Sequence, residues 1–214
     1  MSNYPVTYAQ VPPVERNRLT VFFRLLILIP HALWLLLYGI AVYVAVVIAW
    51  FAIVFTGRWP LGLYDFTAGF LRLSGRVFAY GSLITDTYPP FDGGEHPEYP
   101  VRIAIAPPKA TYSRAKTFFR LILAIPIYFV QYVLTLWLLL VAIAVWFCGV
   151  FAGRTSPGLM ETMRMPAAFY LRANAYFFLL TEDWPPFDPG APAAAPAAAP
   201  APPAPPAAPA MPSS

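Results

Sequence analysis

The chain has 214 residues, of which 59% are hydrophobic and only 11% are charged, and its mean hydropathy is positive. This composition excludes an ordinary water-soluble globule, and a single cysteine excludes an internal disulfide framework. The net charge is +4, but the basic residues cluster beside apolar runs, where lipid phosphate is a nearer partner than nucleic acid. We therefore expect a membrane protein.

The N-terminal residues lead into a long apolar run. The start, MSNYPVTYAQVPPVERNRL, lacks the features of a signal peptide, so we expect it to be retained. Between Arg24 and Arg58 stand 33 residues without a single Asp, Glu, Lys or Arg, and about 20 apolar residues suffice to cross a bilayer. After the run, Gly57 beside Arg58 with Pro60 close behind predicts the end of a helix.

A less hydrophobic segment, FTAGFLRLSGRVFAYGSLIT at 66–85, follows the run. Arg72 and Arg76 are four residues apart and share one face of the predicted helix. Burying each at the bilayer centre would cost about 2.5 to 3.5 kcal/mol on insertion scales, so we expect an amphipathic helix in the membrane interface. The phrase TDTYPPFD at 85–92 closes the segment, because two adjacent prolines prevent the helix from continuing.

The second half of the chain repeats the first. Arg24 matches Arg120 at an offset of 96 residues, which holds to the end of TEDWPPFD at 181–188, whereas the offset is 95 upstream of Arg18 and Arg114. A second charge-free run of 33 residues separates Arg120 from Arg154. The chain is therefore a tandem duplication with four parts. These are a first membrane repeat at 1–92, a linker at 93–98, a second membrane repeat at 99–188 and an Ala/Pro-rich, disordered tail at 189–214.

Each repeat opens with a short alternating stretch that predicts a strand, clearest in YPVRIAIAP at 99–107. Thr111 or Ser113 is placed to cap the helix that follows. The predicted fold is an all-α integral membrane protein of two tandem repeats. Each repeat is a long apolar helix or helical hairpin followed by an amphipathic interfacial helix, with short extended segments before and after.

Each apolar run is too long for a simple crossing, since a 33-residue helix would measure about 50 Å against a hydrocarbon core of about 30 Å. Two arrangements are open. One is a single crossing bent at Pro30 or Pro126, and the other is a hairpin with its tip near Tyr38-Gly39 or Thr135. Hairpins would put all fourteen Lys and Arg on one side, as the positive-inside rule prefers, so the hairpin is favoured. Both arrangements place the two termini on the same side, which we expect to be the cytoplasm.

Three phrases of the first repeat, FFRLLILIPH, AWFAIVFTGRWPLGLYDF and RVFAYGSLITDTYPPF, return in the second as FFRLILAIP, VWFCGVFAGRTSPGL and RANAYFFLLTEDWPPF. In these phrases the chain resembles the bacterial membrane-protein family of domain of unknown function 4389, in two tandem copies that reach to Asp188. The second copy has Ile127 where the first has His31. The family carries no established activity, so the resemblance implies residence in the bacterial cell membrane, multi-pass or hairpin, and supplies no catalytic residues.

The charges that recur in both repeats are the candidate functional residues. In one interpretation arginines at the ends of the runs reach lipid phosphates and acids pair with them there. In the other, the pairs Arg58–Asp65 and Arg154–Glu161 pin the loop after each run and bind an anionic lipid headgroup. The candidates for headgroup contacts or structural ion pairs are Arg24, Arg58, Asp65, Arg76, Arg120, Arg154, Glu161 and Arg172, and the acids Asp86 and Glu182 also recur.

Catalytic patterns are missing from the sequence: we find no Ser/His/Asp set, Walker loop, dinucleotide glycine pattern or metal-ligand cluster. We therefore expect no enzyme, no cofactor and no metal site. His31 lies near the start of the first run, but its counterpart Ile127 excludes a symmetric proton relay or ligand pair. His96 is expected to be a solvated loop residue, and Cys148 a small apolar residue within the second run.

Two functions are open. The first is a membrane protein without catalysis that acts as a scaffold, organises lipid or binds a partner. The alternative is a subunit of a small-solute or ion transporter or channel, since internal duplication is common in transporters. Transport needs polar groups at mid-membrane, and the runs offer only His31, Gln131, Thr135 and a few tyrosines, which favours the first function. The expected partners are membrane lipids, anionic ones among them, and a membrane protein or a second copy of the chain.

Overall fold

The structure, a computed structural model, describes residues 4–11, 13 and 15–188. The tail predicted at 189–214 lies outside the described residues. The first repeat contains β1 Val6–Gln10, α1 Arg18–Phe22, α2 Arg24–Ile27, α3 Ile29–Thr56 and α4 Leu61–Gly81. The second contains β2 Val101–Ile105, α5 Arg114–Phe118, α6 Arg120–Phe147, α7 Pro157–Thr162 and α8 Arg164–Phe177, and a π-helical turn, Cys148–Ala152, prolongs α6.

The helix boundaries follow from local sequence. Ser113, one of the two predicted caps, accepts a hydrogen bond from the Lys116 amide at 3.4 Å, and Asn17 caps α1 in the same way. Gly57 and Gly153 follow the long helices with φ angles of 74° and 70°, a conformation that glycine adopts without a steric penalty. The predicted ends of both apolar runs are therefore confirmed.

In each apolar run a single helix of 28 residues spans the predicted hairpin tip, so the favoured hairpin is wrong. Tyr38 and Gly39 lie within α3, and Thr135 lies within α6. Pro30 occupies the first turn of α3, where the missing amide costs nothing, and Pro126 is accommodated inside α6. An uninterrupted helix satisfies its own backbone hydrogen bonds, whereas a turn at either predicted tip would leave several of them open.

The two repeats are related by a pseudo-twofold axis that passes through the strand pair. Strands β1 and β2 are antiparallel, and Tyr8 stands directly opposite its own repeat counterpart, Ile103. A second pair of counterparts, Gly75 in α4 and Leu171 in α8, meets on the same axis. A Cβ atom on Gly75 would overlap the Leu171 side chain and lie 2.6 Å from Ile103 Cδ1. Glycine is therefore needed for α4 and α8 to approach this closely.

The elements form three layers. The strand pair is the first layer, with β1 against α8 and β2 against α4. Helices α4 and α8 run antiparallel through the second, where Phe78 stacks on Tyr170 with ring centroids 3.9 Å apart. Helix α3 packs along α4, and α6 packs along α8, to form the third. The segments that we expected in the membrane interface are thus the central layer, where contacts within the protein bury Arg76 and Arg172.

The repeats interlock at the ends of the long helices. The Tyr112 amide of the second repeat donates to the Gly57 carbonyl of the first at 2.8 Å. The equivalent bond runs the other way, from the Arg16 amide to the Gly153 carbonyl at 2.9 Å. The larger hydrophobic core cluster contains residues of both repeats. The two sequence repeats therefore pack together as one unit.

Helices α3 and α6 each bury one narrow stripe and expose the rest. The window of each helix that qualifies as a membrane span is only 22% buried, and both helices are long and apolar enough to cross a membrane. Exposed large apolar side chains number twelve on α3 and fifteen on α6 with its π turn. These side chains form the outer apolar face of the molecule, opposite the strand pair.

Candidate functional site

Four of the recurring arginines are buried in the protein. Arg24, Arg76 and Arg120 expose 2% of their surface and Arg172 exposes 1%. Arg24 and Arg120 open equivalent helices, while Arg76 and Arg172 sit in the central layer. A buried guanidinium is costly unless hydrogen bonds and an opposite charge compensate it, so the partners of each arginine decide what it can do.

Arg24 has three hydrogen-bond partners in the first repeat, although its Nε finds no acceptor among the described residues. Its Nη1 donates to the carbonyls of Tyr80 and Thr85 at 2.8 Å each, and its Nη2 bonds Asp86. The guanidinium also lies over the Tyr80 ring, 4.3 Å from its centroid. These contacts join the start of α2 to the end of α4 and the segment that follows it.

Arg16 shares the same carboxylate. Its Nη1 lies 2.7 Å from Asp86 Oδ1, its Nη2 donates to the Leu83 carbonyl at 2.7 Å, and its Nε donates to the Thr155 hydroxyl at 2.5 Å. Burial lowers the pKa of Arg16, and the Asp86 carboxylate offsets part of that shift. Asp86 thus compensates two buried positive charges at once.

Arg120 has fewer partners in the equivalent place of the second repeat. Its Nη1 donates to the Thr181 carbonyl at 2.9 Å, and the guanidinium lies 4.0 Å from the centroid of the Tyr176 ring. Glu182, the counterpart of Asp86, instead accepts the Ser113 amide at 2.5 Å. Among the described residues, Nε and Nη2 of Arg120 find no hydrogen-bond acceptor. One edge of this buried guanidinium therefore lacks a hydrogen-bond acceptor.

Arg76 and Arg172 connect the two repeats. Arg76 lies 6.0 Å from the ring centroid of Tyr99 in the second repeat, and Arg172 lies 5.6 Å from that of Tyr4 in the first. Each also donates to carbonyls of the loop after its own helix, such as that of Asp92 at 3.3 Å from Arg76. Burial lowers the pKa of both arginines. These contacts support a structural role for the pair.

The remaining candidates are exposed. Arg58, Asp65, Arg154 and Glu161 all lie on the surface near the ends of the long helices. Glu161 pairs with Arg164 at 2.5 Å, one helical turn away, rather than with Arg154. Within the described residues no salt bridge joins Arg58 to Asp65 either. Neither of the two predicted ion pairs is therefore formed. Arg58 and Arg154 are left available to ligands outside the protein.

The two histidines have different surroundings. His31 is completely buried, with its ring stacked 3.8 Å from that of Phe91, so the first proline-pair phrase covers the start of α3. His96 bonds the carboxylates of Asp92 at 2.8 Å and Glu98 at 2.9 Å, and these bonds raise its pKa. In the part of the chain that the structure describes, no three His, Cys, Asp or Glu side chains are grouped to hold a metal ion.

Two grooves open on the apolar side, one in each half of the molecule, and the pseudo-twofold axis relates them. The first, the Arg120 groove, has a volume of about 360 Å³ and contains Val46, Val47, Trp50, Arg120, Leu121 and Phe177. The second, the Arg24 groove, has a volume of about 400 Å³ and contains the counterparts Ala142, Ile143, Trp146, Arg24, Leu25 and Gly81. Both volumes fall in the range of small-molecule sites.

The sequence analysis did not predict that equivalent carbonyls in the two repeats are bonded by different side chains, Trp59 in one case and Arg16 in the other. Trp59 donates to the Leu179 carbonyl at 2.8 Å, and the equivalent carbonyl, that of Leu83, is bonded by Arg16 instead. Thr155 replaces Trp59 in the second repeat and leaves room for that guanidinium. Both sequence differences are visible when the repeats are aligned. The contact between Arg16 and Thr155 is visible only in the structure.

The fold and these sites define a duplicated, mostly helical protein with two long, outward-facing apolar helices. A family model described as Domain of unknown function (DUF4389) matches residues 18–92 and again residues 114–188. The chain therefore belongs to this family, in two tandem copies, as the sequence phrases indicated. No curated protein and no solved structure matches the chain.

Proposed function

We propose that this protein is a lipid-organising scaffold of the bacterial cell membrane that is embedded in one leaflet. In this arrangement α3 and α6 lie parallel to the membrane plane, their outer apolar face contacts the acyl chains, and the strand pair faces the cytoplasm. The observation that carries the proposal is that charged loops pack against the N-terminal half of the long helices along their sides, not only at their ends.

The apolar face is too extensive to remain in water. Its 27 large apolar side chains are each exposed by 37% or more. Transferring the exposed half of one such side chain from water contributes about 1 kcal/mol, so the face as a whole contributes on the order of 20 to 30 kcal/mol. Contiguous apolar patches of this kind mark membrane or protein contacts, and the length and composition of both helices favour lipid.

The position of the first charged loop favours a helix that lies in the membrane plane. Asp92 and Gly93 form one groove together with Trp34, Leu37 and Ala41, which lie in the N-terminal half of α3. Close by, Glu95 is largely exposed and pairs with Arg72 at 3.0 Å. If α3 crossed the bilayer upright, these carboxylates would lie within the hydrocarbon, between its edge and its centre, where charged side chains are unfavourable.

The second repeat has the same geometry. Phe187 stacks on Phe169 at 5.1 Å, and Phe169 packs in the cluster with Ala124, Ile127 and other residues in the N-terminal half of α6. Asp188 follows directly in this loop. Both repeats therefore carry a carboxylate beside the N-terminal half of their long helix, which supports the same orientation for α3 and α6.

An in-plane arrangement also accounts for the distribution of positive charge. In this arrangement all fourteen Lys and Arg would lie on the same side of the membrane, which the positive-inside rule identifies as the cytoplasm. Arg114 lies next to Gly57 and its neighbour Arg58 at one end of the molecule, and Arg18 lies next to Gly153 at the other. These exposed arginines are placed to contact anionic headgroups at the rim of the apolar face.

The two ends of the described chain meet on the polar side, where the Tyr4 hydroxyl donates to the Asp183 carbonyl at 3.2 Å. This contact supports a location of both ends of the described chain on the same side of the membrane, which we propose is the cytoplasmic side. A channel would instead need a polar path through the bilayer. The outward faces of α3 and α6 are apolar along both helices, so the geometry gives more support to a scaffold than to a transport subunit.

Aqueous labelling of the first charged loop tests the proposal. A Glu95→Cys variant in a Cys148→Ala background, reconstituted in vesicles, should react with a membrane-impermeant maleimide as fast as a Thr7→Cys control on the exposed side of β1. Protection of the Glu95→Cys thiol, with the control still reactive, would place the loop in the hydrocarbon and overturn the in-plane orientation.

A further inference from the structure

The edge of the Arg120 guanidinium formed by Nε and Nη2 has the donor geometry that binds a carboxylate. Its Nε and Nη2 hydrogens point in the same direction from the planar guanidinium and form the fork that binds two oxygens of one acid group. Both nitrogens are buried and lack an acceptor among the described residues. A buried donor without an acceptor costs about 1 to 3 kcal/mol, so a ligand that supplies both oxygens would be favoured.

The first repeat shows which ligand chemistry fits. At Arg24 an internal carboxylate occupies part of this place: Oδ1 of Asp86 accepts from Nη2, while Nε of Arg24 and Oδ2 of Asp86 lack hydrogen-bond partners among the described residues. In the second repeat Glu182 is engaged by the Ser113 amide and leaves the equivalent place on Arg120 free. The same arginine, in the same fold, thus has a built-in carboxylate in one repeat and none in the other.

The surroundings of Arg120 define the rest of the ligand. The Arg120 groove is otherwise apolar or aromatic, with Val46, Val47 and Trp50 from α3 facing Leu121 from α6. Its volume of about 360 Å³ is sufficient for a single slender chain. An alkyl chain along the groove would keep water from the guanidinium and strengthen its bond to an acid group.

We propose that the Arg120 groove binds a long-chain fatty acid, with the carboxylate on the Nε and Nη2 of Arg120 and the alkyl chain between α3 and α6. The proposal rests on the proposed function to the extent that the groove opens toward the acyl chains of the leaflet. A fatty carboxylate fits better than a phospholipid, because Arg120 is 2% exposed and a phosphodiester carries a bulky glycerol beside its charge.

The test measures binding of hexadecanoate labelled with ¹³C at its carboxyl carbon to the delipidated full chain in detergent micelles. We expect one bound carboxyl resonance per chain that stays ionised at a pH where micellar hexadecanoate becomes protonated. Arg120→Gln should weaken binding by about 10- to 100-fold, the range expected for a charge-assisted pair of hydrogen bonds. Arg24→Gln serves as the matched change in the other repeat and should leave binding intact.

A second pair of variants covers the case in which the Arg120 change prevents folding. Val46→Phe fills the Arg120 groove without touching the arginine and should abolish the bound resonance. Ala142→Phe places the same side chain at the equivalent position of the Arg24 groove and should not affect it. Equal loss in both variants, or no bound resonance in the wild type, would overturn the site.

The experiments also distinguish a fatty acid from a phospholipid as the ligand. They test the Arg120 groove independently of the proposed membrane orientation. Complete displacement of hexadecanoate by an equimolar amount of phosphatidylglycerol would overturn the assignment to a fatty acid. Labelling of the Glu95→Cys variant is measured independently of any bound ligand. A missing carboxyl resonance with a reactive thiol would overturn the groove alone, and a bound resonance with a protected thiol would overturn the orientation alone.

Discussion

Asp86 compensates two buried arginines, Arg16 and Arg24, and replacing it should destabilise the fold more than the equivalent change in the second repeat. The side chains of Arg16 and Arg24 are 0% and 3% exposed, and Asp86 itself is 21% exposed. Removing one partner of a buried ion pair costs about 3 to 5 kcal/mol, because the remaining charge stays buried without compensation. Since Asp86 is partly open to solvent, we expect Asp86→Asn to cost about 3 kcal/mol.

The equivalent change in the second repeat is the control. Glu182 accepts one backbone amide, that of Ser113, so Glu182→Gln should cost only about 1 kcal/mol. For a domain of this size 1 kcal/mol corresponds to about 2 to 4 °C in Tm. In mild detergent Asp86→Asn should therefore lower Tm by about 6 to 12 °C and Glu182→Gln by about 2 to 4 °C. Equal shifts would refute the inequality of the two repeats on which the account of Arg120 depends.

Two further predictions concern the axis and the first charged loop. Gly75→Ala should lower the free energy of unfolding by about 1 to 3 kcal/mol, measured by chemical unfolding. Adding Leu171→Ala in the same chain should recover part of the loss. No recovery would show that the new methyl group does not clash with Leu171. The pKa of His96, measured by NMR, should exceed its ordinary 6.5 and fall in Asp92→Asn. Protonated His96 stabilises the loop at low pH, and this contribution is lost as pH rises through the folded pKa; an unchanged pKa would contradict the pairing.

Local features of the fold could be predicted from the sequence because they depend on neighbouring residues. Alternation in YPVRIAIAP gave β2, and glycine after each apolar run gave the helix ends at Gly57 and Gly153. The duplication itself was visible in the prolines, glycines and charges. What it did not reveal is that β1 pairs with β2, since a period of two fits a partner in either repeat.

The hairpin prediction failed for a physical reason. Counting charges on two sides of a bilayer assumes that each run must cross it, and a hairpin was the only crossing that kept all basic residues together. A continuous helix in the membrane plane satisfies the same charge rule without a turn. The missing acceptor for Nε and Nη2 of Arg120 could not be predicted from the sequence either. It depends on the hydrogen bond between Glu182 and the Ser113 amide, which is set by tertiary contacts.

The most direct test of the membrane arrangement is a depth profile along the outer face of α3. Leu33, Val44 and Phe55 are spaced by 11 residues, so they share one face, and they are 60%, 57% and 72% exposed. Spin labels on single cysteines at these positions, in a Cys148→Ala background, report depth through collisions with oxygen and a polar nickel complex. We predict equal depths of about 5 to 10 Å below the headgroups. A deep label at position 44 between shallow labels at 33 and 55 would show that α3 crosses the bilayer and would contradict the account.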